Sequence, residues 1–447
     1  MNGQKETSQV FANLLFPKIF QTFRMAIQPT KLIIAFSAVA VICLTGWIMD
    51  YLSNTVVAMP PISQGTVTEL QIYMTNPDKV QSFIEMNKER GERKGVFSTL
   101  WHFSCVKFND TLDSLLALSP LGVLANIIEY FTAIVWALKY HFLYCIIFFV
   151  IKLAVISIAG GGLCRITALQ FAKGEKPGLF EALRFSTKKF PSLFTAPLAP
   201  IGIIIFIGLF VFLLGLIGNI PWVGELIMVV FMLVALIAGA LIVVVSIGTV
   251  GGCNLMFPAI AYENSDCFDA ISRSFSYVYA KPWRMGFYTA IAAVYGAICY
   301  WFVRLFVFLL LSATHLFLQL GVRVNDSSKE VNKLAAIWPV PKFMDLLGSP
   351  VLTPANWSER FAAHLIYLFL LVVIGLVISF IVSFYFSANT IIYSLMRNRV
   401  DNTALDDICT PFGDVRAEPT TTESKFDDSQ KQSEPETQTD SSDPVTE

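Results

Sequence analysis

Four ionisable residues sit inside or beside long apolar runs of this 447-residue chain: Lys152, Arg304, Glu129 and Glu225. A Lys or Arg at the centre of a bilayer costs at least ~2.5–3.5 kcal/mol on insertion scales, so such residues are functional hypotheses by default. Lys152 and Arg304 are the groups expected to touch an anionic lipid or solute along a pathway. Glu129 and Glu225, both toward the outer side, are their possible acidic partners. Snorkelling of the long side chains, or a structural ion pair, is the competing explanation.

Other chemistries leave little trace. The four histidines, His102, His141, His315 and His364, are widely separated and form no His-x-x-x-His or Glu-x-x-His pair. They read as independent interfacial residues rather than a shared metal or proton site. The eight cysteines contain no Cys-x-x-Cys, and Cys105 alone falls clearly in an outer segment. Neither zinc nor a disulfide framework is expected there. There is no Gly-x-x-x-x-Gly-Lys-Ser/Thr loop, and Gly160–Gly162 and Gly251–Gly252 are not flanked by strands. Those glycines lie near the inner ends of apolar runs, where they permit close helix packing or a hinge. The expectation is a chain with no metal, no cofactor and no enzymatic chemistry.

The elements that must position these residues are membrane helices. Hydrophobic residues make up 55% of the chain and charged residues 15%, against about 25% charged in soluble domains. Runs of ~20 residues with almost no charge match the length a helix needs to cross hydrocarbon, and lipid forces such runs to be helical. Crossings are expected at about 32–48, 142–163, 198–216, 226–247, 287–318 and 364–392. The run 287–318 exceeds one span, so it tilts, kinks or extends past the bilayer. Residues 115–138 are apolar enough to cross but contain Glu129, and read as an interfacial or re-entrant prelude to the second crossing. Val10–Ile27 places Phe11, Leu14, Leu15, Ile19, Phe20 and Phe23 near helical spacing, as an interfacial helix lying on the bilayer would.

Basic residues set the orientation. Lys5, Lys18, Arg24 and Lys31 precede the first crossing, and Arg165, Lys173, Lys176, Arg184, Lys188 and Lys189 follow the second. Segments 53–125 and 320–360 balance acids and bases. The positive-inside rule then puts both termini in the cytoplasm of a plasma (inner) membrane protein with six crossings. Residues 410–447, rich in Ser, Thr, Asp, Glu, Pro and Gln, read as a disordered acidic cytoplasmic tail. The net charge of -1 says nothing about nucleic acid, but no basic patch alternates with aromatics as a nucleic-acid groove would, so no nucleic-acid partner is expected.

A signature recurs where the even-numbered crossings leave the membrane. In each copy a capping-type residue (Gly178, Asp266, Thr403) precedes an acid by three positions (Glu181, Asp269, Asp406). That spacing puts the acid in the first turn of a new helix, near unpaired N–H groups and the positive dipole end. Phe180 with Leu183, Phe268 with Ile271 and Leu405 with Ile408 then share one helix face, able to rest on the membrane or a neighbouring helix. The first two copies align without gaps at an offset of 88 residues. The segment from Ala259 to Ser274, with Glu263, Phe268-Asp269-Ala270, Arg273-Ser274 and the nearby Trp283-Arg284, resembles the exit segment of bacterial multi-pass families similar to the membrane domain of glycerophosphodiester phosphodiesterases. The resemblance implies a helical membrane module over about 157–289 and carries no catalytic barrel.

The fold expected is all-α: a polytopic membrane helical bundle of about six transmembrane helices in three hairpins (31–409), preceded by a cytoplasmic interfacial helix (1–30). The function expected is that of a transport-type or membrane-complex subunit in contact with the lipid bilayer. A scaffold recruiting membrane-protein or cytoplasmic partners through capped helices and the acidic tail is the alternative. An intramembrane lipid-acting enzyme would need acids or histidines clustered at one depth, and these are dispersed.

Overall fold

An apolar run without a turn residue folds as one helix, because lipid leaves the backbone no partner but itself. The computed structural model describes residues 15–59, 67–88, 91–324, 334, 337–346 and 357–409. A 3-10 turn at Phe16–Gln21 leads into α1 (Thr22–Ala26) and α2 (Pro29–Leu52). The strands β1 (Val56–Met59), β2 (Val67–Thr68) and β3 (Glu92–Lys94) enclose α3 (Glu69–Thr75) and α4 (Val80–Met86) in sequence. Next come α5 (Val96–Leu116), α6 (Pro120–Tyr140), α7 (Phe142–Lys173), α8 (Leu179–Lys188), α9 (Phe190–Thr195), α10 (Ala199–Gly218) and α11 (Val223–Glu263). The last three are α12 (Cys267–Ala280), α13 (Pro282–Val324) and α14 (Trp357–Val400). Seven of these, α2, α6, α7, α10, α11, α13 and α14, are long and apolar enough to cross a membrane. The protein is a multi-pass, all-α helical bundle.

Contacts at the helix ends fix the direction of each. Lys31, at the start of α2, meets Gln170 near the end of α7, while Asp50, at the end of α2, meets Tyr144 near the start of α7. So α2 and α7 are antiparallel, and the end holding Lys31 is here the inner end. Gly296 approaches Phe384, and Leu311 and Leu370 share a cluster, so α13 and α14 are also antiparallel. Lys281 at the start of α13 bonds Arg399 O at the end of α14, closing that pair at the inner end. The third pair is α10 with α11, joined by the turn 219–222.

The seventh span-length helix, α6, does not disturb this order. Lys107 pairs with Glu129, and Ser114 meets both Gly122 and Asn126, so α5 and α6 form an antiparallel hairpin turning at Leu118 (φ 52°). Both of its open ends lie at the outer end: Phe97 against Gly46 of α2, and Trp136 in a cluster with Val56 and Leu70. The hairpin enters and returns on one side. Residues 115–138, expected as an interfacial or re-entrant prelude, belong to this hairpin, which leaves inner and outer assignments downstream unchanged.

The outer end carries a small built subdomain. The antiparallel sheet has the order β2-β1-β3, with Val56 opposite Lys94 and Ala58 opposite Thr68. Asp50 caps α5 from another helix, accepting from Phe97 N at 2.9 Å, Ser98 N at 2.8 Å and the Ser98 hydroxyl. A carboxylate there answers the free N–H groups and the positive dipole end.

The main core lies toward the inner end, where Ile19, Ile34, Leu163, Ile166, Leu255, Ile260, Ile391 and Met396 are buried together. This corrects the expected N-terminal interfacial helix. Pro17 holds the first turn as 3-10 helix, and Ile19, Thr22, Met25 and Ala26 are buried. Ser383 of α14 bonds Ala26 O, so the segment is inserted between helices rather than laid on lipid. Residues 10–14 and the expected acidic tail lie outside the described residues.

Candidate functional site at the inner end

Lys31 is the third residue of α2 and is fully buried. Pro29 opens the helix where its missing N–H costs nothing. The register that sends Ile34, Ala35 and Ala38 into the core sends Lys31 there with them. Its Nζ lies 3.3 Å from Gln170 Oε1 and 3.5 Å from Ser387 Oγ, and Ser387 Oγ is 3.2 Å from Thr167 Oγ1. Among the described residues no carboxylate pairs with this ammonium. A buried charge without a counter-charge is an expensive arrangement.

Ser387 belongs to a polar face. Ser379, Ser383 and Ser387 recur every four residues on α14 and, with Thr390 and Ser394, are buried. Ser379 and Thr390 bond carbonyls one turn back, as hydroxyls inside apolar helices do. Ser387 is the one turned toward Lys31.

The polar face ends at a cluster that binds the chain back on itself. Buried Arg397 stands 2.7 Å from Glu263 Oε1 and 3.0 Å from Asp407 Oδ2, and donates to Asp407 O at 2.6 Å. Arg165, also buried, donates to Ala261 O at 2.7 Å and Cys409 O at 3.1 Å, with its guanidinium 5.0 Å from the Phe185 ring. Lys189 donates to Asn264 O at 2.5 Å. The carbonyls of Ala261 and Asn264 are at the end of α11, where acceptors are unpaired and the dipole is negative. Cys409 N donates to Tyr262 O at 3.0 Å, so residues 401–409 lie across the inner end as a strap. Tyr277 of α12 donates to Asp401 Oδ2 at 2.5 Å. Burial first, and the Asp401 carboxylate second, push its phenol above the ordinary range.

The four charges expected to mark a pathway do not converge. Arg304 is buried, and donates to Phe343 O (3.0 Å), Met344 O (2.9 Å), Asn109 Oδ1 (2.7 Å) and Tyr300 OH (3.1 Å). All four acceptors are neutral, so Arg304 fastens segment 337–346 and α5 to α13. Glu129 pairs with Lys107 at 2.7 Å, and Glu225 is exposed in the first turn of α11. Lys152 is half-buried on α7, and neither acid reaches it or Arg304.

Two of the three exit signatures open helices. Asp266 caps α12 by accepting from Asp269 N at 3.0 Å, and Asp269 pairs with Arg273 at 2.9 Å. Gly178 opens α8 without a side-chain bond, and Glu181 sits in its first turn. Thr403 and Asp406 open none: after Asn402 (φ 55°) the chain becomes the strap, held by Asn398 to Thr403 O and by Arg397. The expected shared faces also differ, since Phe180 and Phe268 point outward while Ile271 is buried. The two return helices instead use Ala182 and Ser186, or Ala270 and Ser274, to face their own spans. A Cβ on Gly161 would stand 2.4 Å from Leu193 and 3.1 Å from Ser186, and one on Gly252 3.3 Å from Ser274. Those glycines serve packing.

The histidines stay apart. His141 Nδ1 is 3.1 Å from Thr55 Oγ1 and its Nε2 3.5 Å from buried Glu69, His315 is buried beside Trp338, and His102 and His364 are exposed. Sequence reasoning missed Lys31 and Arg165 as site residues, having counted both as flanking bases. The available signal was helical spacing, because each sits one turn from apolar residues that are themselves buried. No protein-family model, curated protein or solved structure matches the chain, so the likeness to glycerophosphodiester phosphodiesterase membrane domains stands on the quoted residues alone.

Proposed function

We propose that the chain is a non-enzymatic, transport-type membrane protein whose cargo carries negative charge and meets Lys31. The observation supporting this is the buried Lys31 amine of α2, bonded among the described residues to neutral groups of α7 and α14, Gln170 and Ser387, beside a hydroxyl-lined helix face. Lys31 takes the role first assigned to Lys152 and Arg304. Exposed Lys173, Lys176, Arg184 and Lys188 crowd the inner end, which supports a cytoplasmic inner end in a plasma membrane. Reconstitution of the full chain in liposomes, with uptake followed for a panel of small anions, tests the reading. Lys31→Met should cut uptake about tenfold or more, the scale of one lost charge-assisted contact, while Lys152→Met should not. Uptake equal to protein-free liposomes for every anion overturns it.

A second reading, a scaffold, is favoured by Phe180 and Phe268, exposed at matching places in the first turns of α8 and α12. Under that reading Phe180→Ser with Phe268→Ser abolishes partner capture and leaves anion uptake intact.

A further inference from the structure

We infer that Lys31, Ser387 and Gln170 form a site for one small monovalent anion, a halide or a short carboxylate. The inference rests on the transport reading and names its cargo class. Charge is the first argument. The other buried cations of this region are committed: Arg397 to Glu263 and Asp407, Arg165 to Ala261 O and Cys409 O. Lys18 stands over the Phe171 ring. No described carboxylate pairs with the Lys31 amine, and a bound anion would supply the counter-charge of its protonated form.

Donor geometry is the second. The two contacts of Nζ, 3.3 and 3.5 Å, are longer than the usual 2.7–3.2 Å range, so the ammonium is loosely held. Among the described residues these are its two acceptors, while the protonated amine has three N–H groups to place. Thr167 already donates to Leu163 O at 2.7 Å, so in its contact with Ser387 the movable hydrogen is that of Ser387. Turned toward Lys31, that hydroxyl becomes a second donor. Rotation of the Gln170 amide, which presents oxygen on one side and NH2 on the other, supplies a third. These donors come from three helices, α2, α7 and α14, so an anion here would join them.

The class follows from what is missing. Among the described residues no guanidinium bonds Lys31, Ser387 or Gln170, and guanidinium forks are what match phosphate or sulfate bidentately. One ammonium with hydroxyl and amide donors suits a single charge on a compact anion.

The test measures melting of the detergent-solubilised full-length protein at constant ionic strength, replacing gluconate with chloride, acetate or phosphate. A ligand that binds only the folded state raises the midpoint in a saturable way. Chloride or acetate should do so for the wild type, and which one does so distinguishes halide from carboxylate. Lys31→Met should abolish the rise, and Ser387→Ala should weaken the half-saturating concentration about tenfold, as loss of one hydrogen bond to a charge does. If Lys31→Met does not fold, Ser387→Ala and Gln170→Leu carry the test. No saturable rise with chloride or acetate, a rise unchanged in the variants, or a rise with phosphate alone overturns the site. Saturable, Lys31-dependent binding without uptake keeps the site and rejects transport. Uptake without such binding rejects the site alone.

Discussion

Among the described residues four basic side chains are buried, Lys31, Arg165, Arg304 and Arg397, and their partners assign them different work. Arg304 is the clearest case of architecture. Its removal takes the donor from the part-buried Phe343 O and Met344 O, a loss toward the lower end of ~1–3 kcal/mol for each unmet group. Arg304→Met is expected to lower the melting temperature of the purified protein by several degrees, and Arg304→Lys should not restore it, because one ammonium cannot replace a planar fork of donors. Tyr277 gives a second, pH-resolved outcome. Its phenol titrates higher in the folded chain than in the unfolded one, where it titrates near ~10. The neutral phenol therefore stabilises the fold below that pH, and stability falls as pH rises through the folded value, because the unfolded state binds fewer protons there. Melting curves between pH 8 and pH 11 should show this decline in the wild type and a shallower one in Tyr277→Phe.

At the scale of elements, the hairpin of α5 and α6 depends on its cap and its turn. Asp50→Ala removes the acceptor for Phe97 N, Ser98 N and the Ser98 hydroxyl, and is expected to cost about 1–2 kcal/mol, read as a lower melting temperature. Leu118 adopts φ 52°, a left-handed conformation that costs a side-chain-bearing residue about 1–2 kcal/mol. Leu118→Gly should therefore raise the melting temperature. The sequence shows much of this level. Apolar length alone marks α7, α10, α11, α13 and α14, and the cap-acid spacing marks the starts of α8 and α12. What it cannot show is a partner distant along the chain. Thr403 and Asp406 carry the same spacing as Asp266 and Asp269, yet residues 403–409 form no helix, because Arg397 and Arg165 bind that segment from elsewhere. Lys31 and Arg165 look like solvated flanking bases until three-dimensional neighbours enclose them.

At the scale of the molecule, α2, α7, α10, α11, α13 and α14 alternate in direction, and the α5–α6 hairpin returns to where it began. Single cysteines in place of Asn54, Met86 and Trp222 should label with an impermeant reagent from one side of intact cells, and those in place of Lys176 and Phe268 from the other. Labelling of Met86 and Lys176 from the same side would contradict the arrangement of α2 and α7.

The pairing of Lys31 with Ser387 joins residues 356 positions apart in the chain. At a synthesis rate of ~5–20 residues per second, roughly 20–70 s separate their emergence from the ribosome. Throughout that interval α2 holds an amine whose permanent neighbour on α14 does not yet exist. Biogenesis therefore requires either a provisional shelter for that amine or late entry of the first segment, and a nascent chain stalled ahead of its final helix should be a substrate for quality control.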